Sequence, residues 1–257
     1  MPLQAVTFDL GGTLVEYENV PWEELEATGW RGLYRHLRRP SAGRLDHLVA
    51  GLAACPADDF AGAMQGASSR AWRRAEETFQ SAALHEIFSQ GLASLGLAPV
   101  APDDFAELAE HFHAATVELV SVYDDSLATL AALKRRGIRL ALISNTVWPG
   151  HLHTRDLQRF GLDAFFDAFT YSSEHPHTKP HPAIFRDTLR RLGDVPPAGA
   201  VHVGDRIVDD VRGAQSAGLK GVLKAHPRRV DVPGITPDAR IDRLGDLPAA
   251  LDALFRL

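Results

Sequence analysis

Four short stretches concentrate the residue types that do phosphate and metal chemistry. Asp9 ends an apolar run and precedes Gly-Gly-Thr in FDLGGTLV (8–15), and Ser144 and Asn145 end another in LISNT (142–146). Lys179 stands before Pro180 in SSEHPHTKPHPAIF (172–185), and Asp205 follows Gly204 in VHVGDRIVDDVRGAQSAGL (201–219), with Asp209 and Asp210 close behind. A carboxylate can attack phosphorus when a cation suppresses its repulsion with the phosphate. Mg²⁺ typically takes one or two carboxylates, so Asp205, after a Gly that lets the chain turn tightly, suits it as a hard oxygen ligand. A Ser hydroxyl and an Asn amide at a strand end can hold transferring phosphoryl oxygens, or can simply begin a turn. Lys179 is one of four Lys against 23 Arg, and fits a fixed ammonium countering both Asp9 and phosphate. The Asp-Leu-Gly-Gly-Thr turn has a second reading, as a backbone loop that itself cradles phosphate.

Such residues need strand ends to hold them. Leu3–Asp9, Ile138–Ser144, Ala168–Ser172, Ala200–Gly204 and Leu219–Ala225 are apolar and β-prone, as expected of parallel strands covered on both faces. Between them lie helix-length segments, including Ser126–Arg136, His151–Phe160, Pro182–Leu192 and Val208–Ala217. The alternation predicts an α/β fold, a doubly wound parallel sheet with right-handed crossovers and its ligand site beyond the carboxyl ends of the strands. Asp9, Ser144 and Asp205 fall at or just past such ends and should converge. From about 16 to 120 the alternation stops. Helical apolar spacing at Trp22, Leu25, Leu33, Leu37 and at Phe105, Leu108, Phe112 predicts an inserted α-helical bundle. The expected division is a core of 1–15 and 121–257 with a helical cap of 16–120. The tail offers a short strand, ARID, and a helix with Pro248 in its first turn.

Apolar residues make up 45% of the 257 and charged residues 23%, the balance of a globular protein with a full core. No apolar run approaches a membrane span, and no basic residue precedes Asp9, so neither a membrane segment nor a secretory leader is expected. Cys55 is the only cysteine, which excludes an internal disulfide and makes the cytoplasm the default expectation. A formal charge of −6 with dispersed basic residues argues against nucleic acid; Arg35, Arg38 and Arg39 read as a solvated helix face.

The four fragments, in this order, resemble the haloacid dehalogenase-like (HAD) hydrolase superfamily, over residues 3–15 and roughly 124–250. The resemblance implies a HAD-like core with a helical cap, acting on a small phosphorylated molecule with Mg²⁺. It makes Asp9 the nucleophile that forms an aspartyl-phosphate, and places Asp9, Asp205 and the Gly11 carbonyl on the metal. Asp210 becomes the family's second acid, holding metal waters or Lys179, while Asp209 can be a helix-start carboxylate. Gly12, Ser144, Asn145 and Lys179 are the implied phosphate contacts. His175, His177 and His181 lack metal-ligand spacing and read as structural. His151 and His153 either reach substrate or belong to a helix start. Among the cap aromatics Trp22, Trp30, Tyr34 and Trp72, none is singled out as a substrate contact.

The sequence departs from the family at one position. Phosphatases of this family usually carry a second Asp two residues after the nucleophile, where this chain has Gly11. General acid–base catalysis is worth about 10²- to 10⁴-fold, and Gly cannot donate a proton. A phosphatase slow on alkyl esters and better on aryl or acyl phosphates is therefore expected, unless Glu16, Glu18 or a cap histidine replaces the acid. The alternatives are a phosphate-binding or regulatory protein that has lost turnover and, third, a haloacid dehalogenase. A phosphonatase would need a cap lysine, but the first lysine is Lys134; a sugar kinase would need a second large domain.

Overall fold

The computed structural model describes residues 2–17, 19–39 and 46–255. In chain order the elements are β1 (Ala5–Phe8), β2 (Val15–Glu16), α1 (Trp22–Leu37), α2 (Asp46–Gly51), α3 (Ala57–Thr78), α4 (Leu84–Ser94) and α5 (Phe105–Thr116). They continue as β3 (Ser121–Val122), α6 (Ser126–Arg135), β4 (Arg139–Ser144), α7 (Gly150–Arg159), β5 (Ala168–Tyr171), α8 (Pro182–Arg191) and β6 (Ala200–Gly204). A wide π-helical turn, Ile207–Arg212, runs into α9 (Gly213–Ala217), followed by β7 (Lys220–Lys224), β8 (Ala239–Ile241) and α10 (Leu247–Phe255).

The main sheet is parallel throughout, in the order β5-β4-β1-β6-β7-β8. Alternate residues along each strand serve opposite faces. Val6, Phe8, Leu140, Leu142, Val201 and Val203 pack under α6 and α10 through Leu130, Leu133, Leu247 and Leu251. Ala5, Ala141, Ile143 and Ala200 face α8 and α9 through Ile184, Phe185, Leu189 and Ala214. This is the doubly wound α/β fold expected from the alternation of strands and helices. The segment expected as one helix at 208–217 differs, because Ile207–Arg212 form the wide turn that carries Asp210.

The helices between β2 and β3 have an apolar cluster of their own, centred on Trp30, Phe60, Met64, Phe88 and Phe112. It also takes in Val147, Trp148 and Leu152, contributed from beyond the insertion, and Phe112 stacks on Trp148 at 4.0 Å. The bundle is latched to α7: Glu110 takes Arg155 with both oxygens at 2.6 and 2.8 Å, and His113 Nε2 lies 2.8 Å from Asp156. The chain leaves and re-enters the sheet through β2 and β3, paired antiparallel at Val15–Val122 and Glu16–Ser121. No helix among the described residues is long and apolar enough to cross a membrane.

Candidate active site

The register of the three central strands assembles the site. Phe8 pairs with Leu142 on one side and Val203 on the other, so Asp9 comes level with the ends of β4 and β6. Its backbone N–H donates to Val203 O at 2.9 Å, and Thr13 Oγ1 reaches its Oδ2 at 3.3 Å. Lys179 arrives from the loop after β5 and is almost wholly buried. Its Nζ lies 2.6 Å from Asp9 Oδ1 and 2.6 Å from Asp210 Oδ1. Asp210 is held in turn by His202 Nε2 at 3.1 Å and by the Arg206 N–H at 2.8 Å. Asp9, Ser144, Lys179, Asp205 and Asp210, remote in sequence, all stand at this one edge of the sheet, and Asp9, Ser144 and Lys179 line its cavity.

The charges here are not balanced by the protein alone. Asp9, Asp205 and Asp210 bring carboxylate oxygens within 4.8 Å of one another. Burial opposes ionisation of Asp210, yet the Lys179 ammonium and His202 hold it well below the usual carboxylate range. Burial likewise opposes charge on Lys179, but Asp210 and Asp9 more than offset it, raising its pKa above the ordinary lysine value. Asp205 is different: burial, then Asp9 and Asp210, push its carboxyl up to about 7 despite Arg229 Nε on its Oδ2 at 2.7 Å. Its Oδ1 is buried with no hydrogen-bond partner. An orphaned oxygen among three carboxylates, with oxygen the only donor type, fits a hard divalent cation such as Mg²⁺.

Two expected phosphate contacts, Gly12 and Asn145, have bonding partners within the chain. The Gly12 N–H donates to Val15 O at 2.8 Å inside the turn, and its carbonyl accepts from Lys224 Nζ at 3.0 Å. Gly12 is instead required for space: φ is +75°, and a Cβ there would stand 2.5 Å from Asp205 Oδ2. The Asn145 side chain closes a two-point clamp on the Lys179 main chain, accepting from its N–H at 2.8 Å and donating to its C=O at 3.0 Å. Asn145 thus ties the end of β4 to the Lys179 main chain.

Beside Gly11 lies a polar network absent from the sequence reading. The Tyr17 hydroxyl is 3.2 Å from Asp156 Oδ2 and 3.2 Å from His153 Nδ1, and His153 Nε2 is 2.7 Å from Thr146 Oγ1. Burial and then Asp156 raise the Tyr17 pKa well above the ordinary phenol value, while burial pushes His153 down to about 4. Tyr17 therefore keeps its proton and His153 is neutral at pH 7. These residues line the cavity with Asp9 and His113. Thr13 and Arg229 also touch the site, contacting Asp9 and Asp205; Thr13 lies within FDLGGTLV, whereas Arg229 falls outside all four stretches.

The remaining candidates sort by contact. Asp209 turns to Arg206 at 3.7 Å, and burial raises its pKa to about 6. Glu16 accepts from Tyr123 at 2.7 Å and pairs with His226 at 3.0 Å; Glu18 lies outside the described residues. His175 contacts Asp187 and the His177 carbonyl, His181 caps α8, and His151 reaches Glu110. Trp30 is core, whereas Trp22 and Trp72 line the cavity.

Comparison with known proteins follows the same division. A curated phosphoserine phosphatase from Thermus thermophilus is 36% identical over 161 residues, 63% of this chain and 61% of that protein; the chain thus spans about three fifths of that relative's length. A 2-haloacid dehalogenase from Pseudomonas syringae pv. Tomato superposes with a TM-score of 0.68 at 24% identity, covering 98% of this chain and 99% of that one. A HAD-hydrolase from Bacillus subtilis solved with magnesium gives 0.65 at 19% identity, covering 98% and 100%. At these identities the structures share the fold. The family model for haloacid dehalogenase-like hydrolases matches residues 3–218, and the chain belongs to that family.

Proposed function

We propose that this protein is a Mg²⁺-dependent phosphatase of small phosphorylated molecules, with Asp9 as nucleophile and residues 16–120 acting as a cap. The observation that carries the reading is Lys179 Nζ, 2.6 Å from Asp9 Oδ1, beside an Asp205 whose Oδ1 has no partner. Curated phosphatases such as the phosphoserine enzyme among its relatives agree with this.

In this reading Asp9, Asp205 and the Gly11 carbonyl, with Asp210 behind them, would hold the ion, which when bound supplies the charge that relieves repulsion between carboxylate and phosphate. Lys179 orients Asp9 and draws negative charge from the phosphoryl oxygens, and Asp210 and Asn145 hold Lys179 in place. Ser144, at the end of β4, offers its hydroxyl to a phosphoryl oxygen. Asp9 attacks phosphorus, the bond to the leaving oxygen breaks, and water then hydrolyses the aspartyl-phosphate, returning Asp9 and releasing phosphate. Gly11 supplies no proton to the leaving oxygen, so esters with good leaving groups react faster. The cap excludes water during transfer.

The test is phosphate release from an aryl phosphate with and without Mg²⁺, in wild type and Asp9→Asn. Mg²⁺-dependent release abolished by the substitution supports the proposal. Binding of beryllium fluoride with no release from any ester would instead identify a phosphate-binding protein.

A further inference from the structure

The core-facing stripe of α1 runs through Leu25, Gly29, Trp30, Leu33 and Leu37, and at helical spacing it contains one charge, Glu26. Glu26 is 6% exposed and lines the cavity. One of its oxygens accepts from Ser68 Oγ at 2.5 Å. No Lys, Arg or His among the described residues forms an ion pair with it. A buried carboxylate without a cation is costly, and here burial, with Glu23 adding to it, pushes the group up to about 7.

The insertion's share of the cavity lining is polarised in the same sense. From residues 16–120 it takes the carboxylates Glu16, Glu23, Glu26 and Glu76, and no Lys or Arg among the described residues. Its strong cations, Lys179, Arg206, Arg228 and Arg229, all come from the sheet side. Trp72 lies one helical turn beyond Ser68 on α3, and the exposed Trp22 one turn before Glu26 on α1; both rings line the same cavity as the carboxylate. A carboxylate beside indole rings is the chemistry that recognises an alkylammonium group. The cavity, of about 910 Å³, has room for a leaving group reaching from Asp9 to α1.

We propose that Glu26, with Ser68 and Trp72, is the subsite for a positively charged amine on the leaving group, so that the preferred substrates are phosphomonoesters of amino alcohols. The inference rests on the phosphatase reading for its catalytic consequence, but the subsite can be measured apart from it. Aminoalkyl phosphates of increasing chain length are compared with hydroxyalkyl phosphates of the same lengths, in the presence of Mg²⁺. At the best length the amine should have a kcat/KM at least about tenfold higher, the scale of one charge-assisted hydrogen bond. Glu26→Gln should bring the ratio close to one. A wild-type ratio of one or below at every length overturns the proposal whether or not the variant folds, as does a preference that survives Glu26→Gln. If no ester is hydrolysed, an aryl phosphate included, the phosphatase reading fails and calorimetric binding of the same two series decides the subsite. Tighter binding of the amines, lost in Glu26→Gln, sustains it; equal binding refutes it.

Discussion

The ring of Tyr17 fills the space beside Gly11: a Cβ on residue 11 would lie 3.0 Å from Tyr17 Cδ2. The acid usual in the family is thus replaced by the edge of a phenol whose hydroxyl is engaged with Asp156 and His153. Restoring the acid alone should therefore do little. Gly11→Asp is expected to raise turnover of an alkyl phosphate less than about tenfold, and Gly11→Asp with Tyr17→Ala to raise it further toward the 10²-fold or more that a general acid contributes. Steady-state rates of the two variants on one alkyl ester check this.

Removing Asn145 tests positioning. Asn145→Ala leaves the Lys179 main chain without both of its clamps and should lower kcat by about 10²-fold, the scale of a small misplacement, with KM less affected. Asn145→Asp keeps the acceptor for the Lys179 N–H and loses the donor, so its kcat should fall between the two.

Lys179→Met leaves Asp9 and Asp210 without their shared ammonium. The expected loss is about 3 to 5 kcal/mol of stability, as for other broken buried pairs, together with activity. Mg²⁺ should raise the variant's melting temperature more than it raises that of wild type, because the ion then supplies the missing countercharge.

Asp205 should show the opposite pattern. Because burial, and then Asp9 and Asp210, disfavour its charge, Asp205→Asn is expected to melt no lower than wild type without metal. Mg²⁺ at about a hundred times its Kd should stabilise wild type by about 2.7 kcal/mol, and the variant hardly at all. Thermal melts with Mg²⁺ or a chelator read both effects.

Glu26 carries a pH signature. An acid raised from 4.5 to about 7 by folding binds its proton more tightly in the native state. Its contribution favours folding below pH 4.5 and is lost as pH rises to about 7, a change of up to about 3 kcal/mol. Glu26→Gln should remove that decline, so the stability difference between variant and wild type grows in the variant's favour across this window in denaturant titrations.

The sheet was legible because its central strands are covered on both faces, which leaves apolar runs such as Arg139–Ser144 with a polar residue at the carboxyl end. That end effect also exposed Asp9, Ser144 and Asp205. The network around Gly11 was not legible, since Tyr17 and Asp156 are 139 residues apart and join only when the insertion packs on α7. The bonds that Gly12 and Asn145 make within the chain were not legible either, because a backbone amide or a side-chain amide carries no mark of what it will bond. Strands of two residues, such as β2 and β3, are too short to show any period.

Those two strands have a further consequence. The peptide departs the sheet at Val15–Glu16 and comes back at Ser121–Val122, on neighbouring rungs of one antiparallel ladder. Topologically the whole helical excursion is an enlarged hairpin loop, so it can be trimmed, extended or transplanted between homologues without rethreading any parallel strand. In the proposed reading, substrate choice and bond-breaking would accordingly lie on separable lengths of chain.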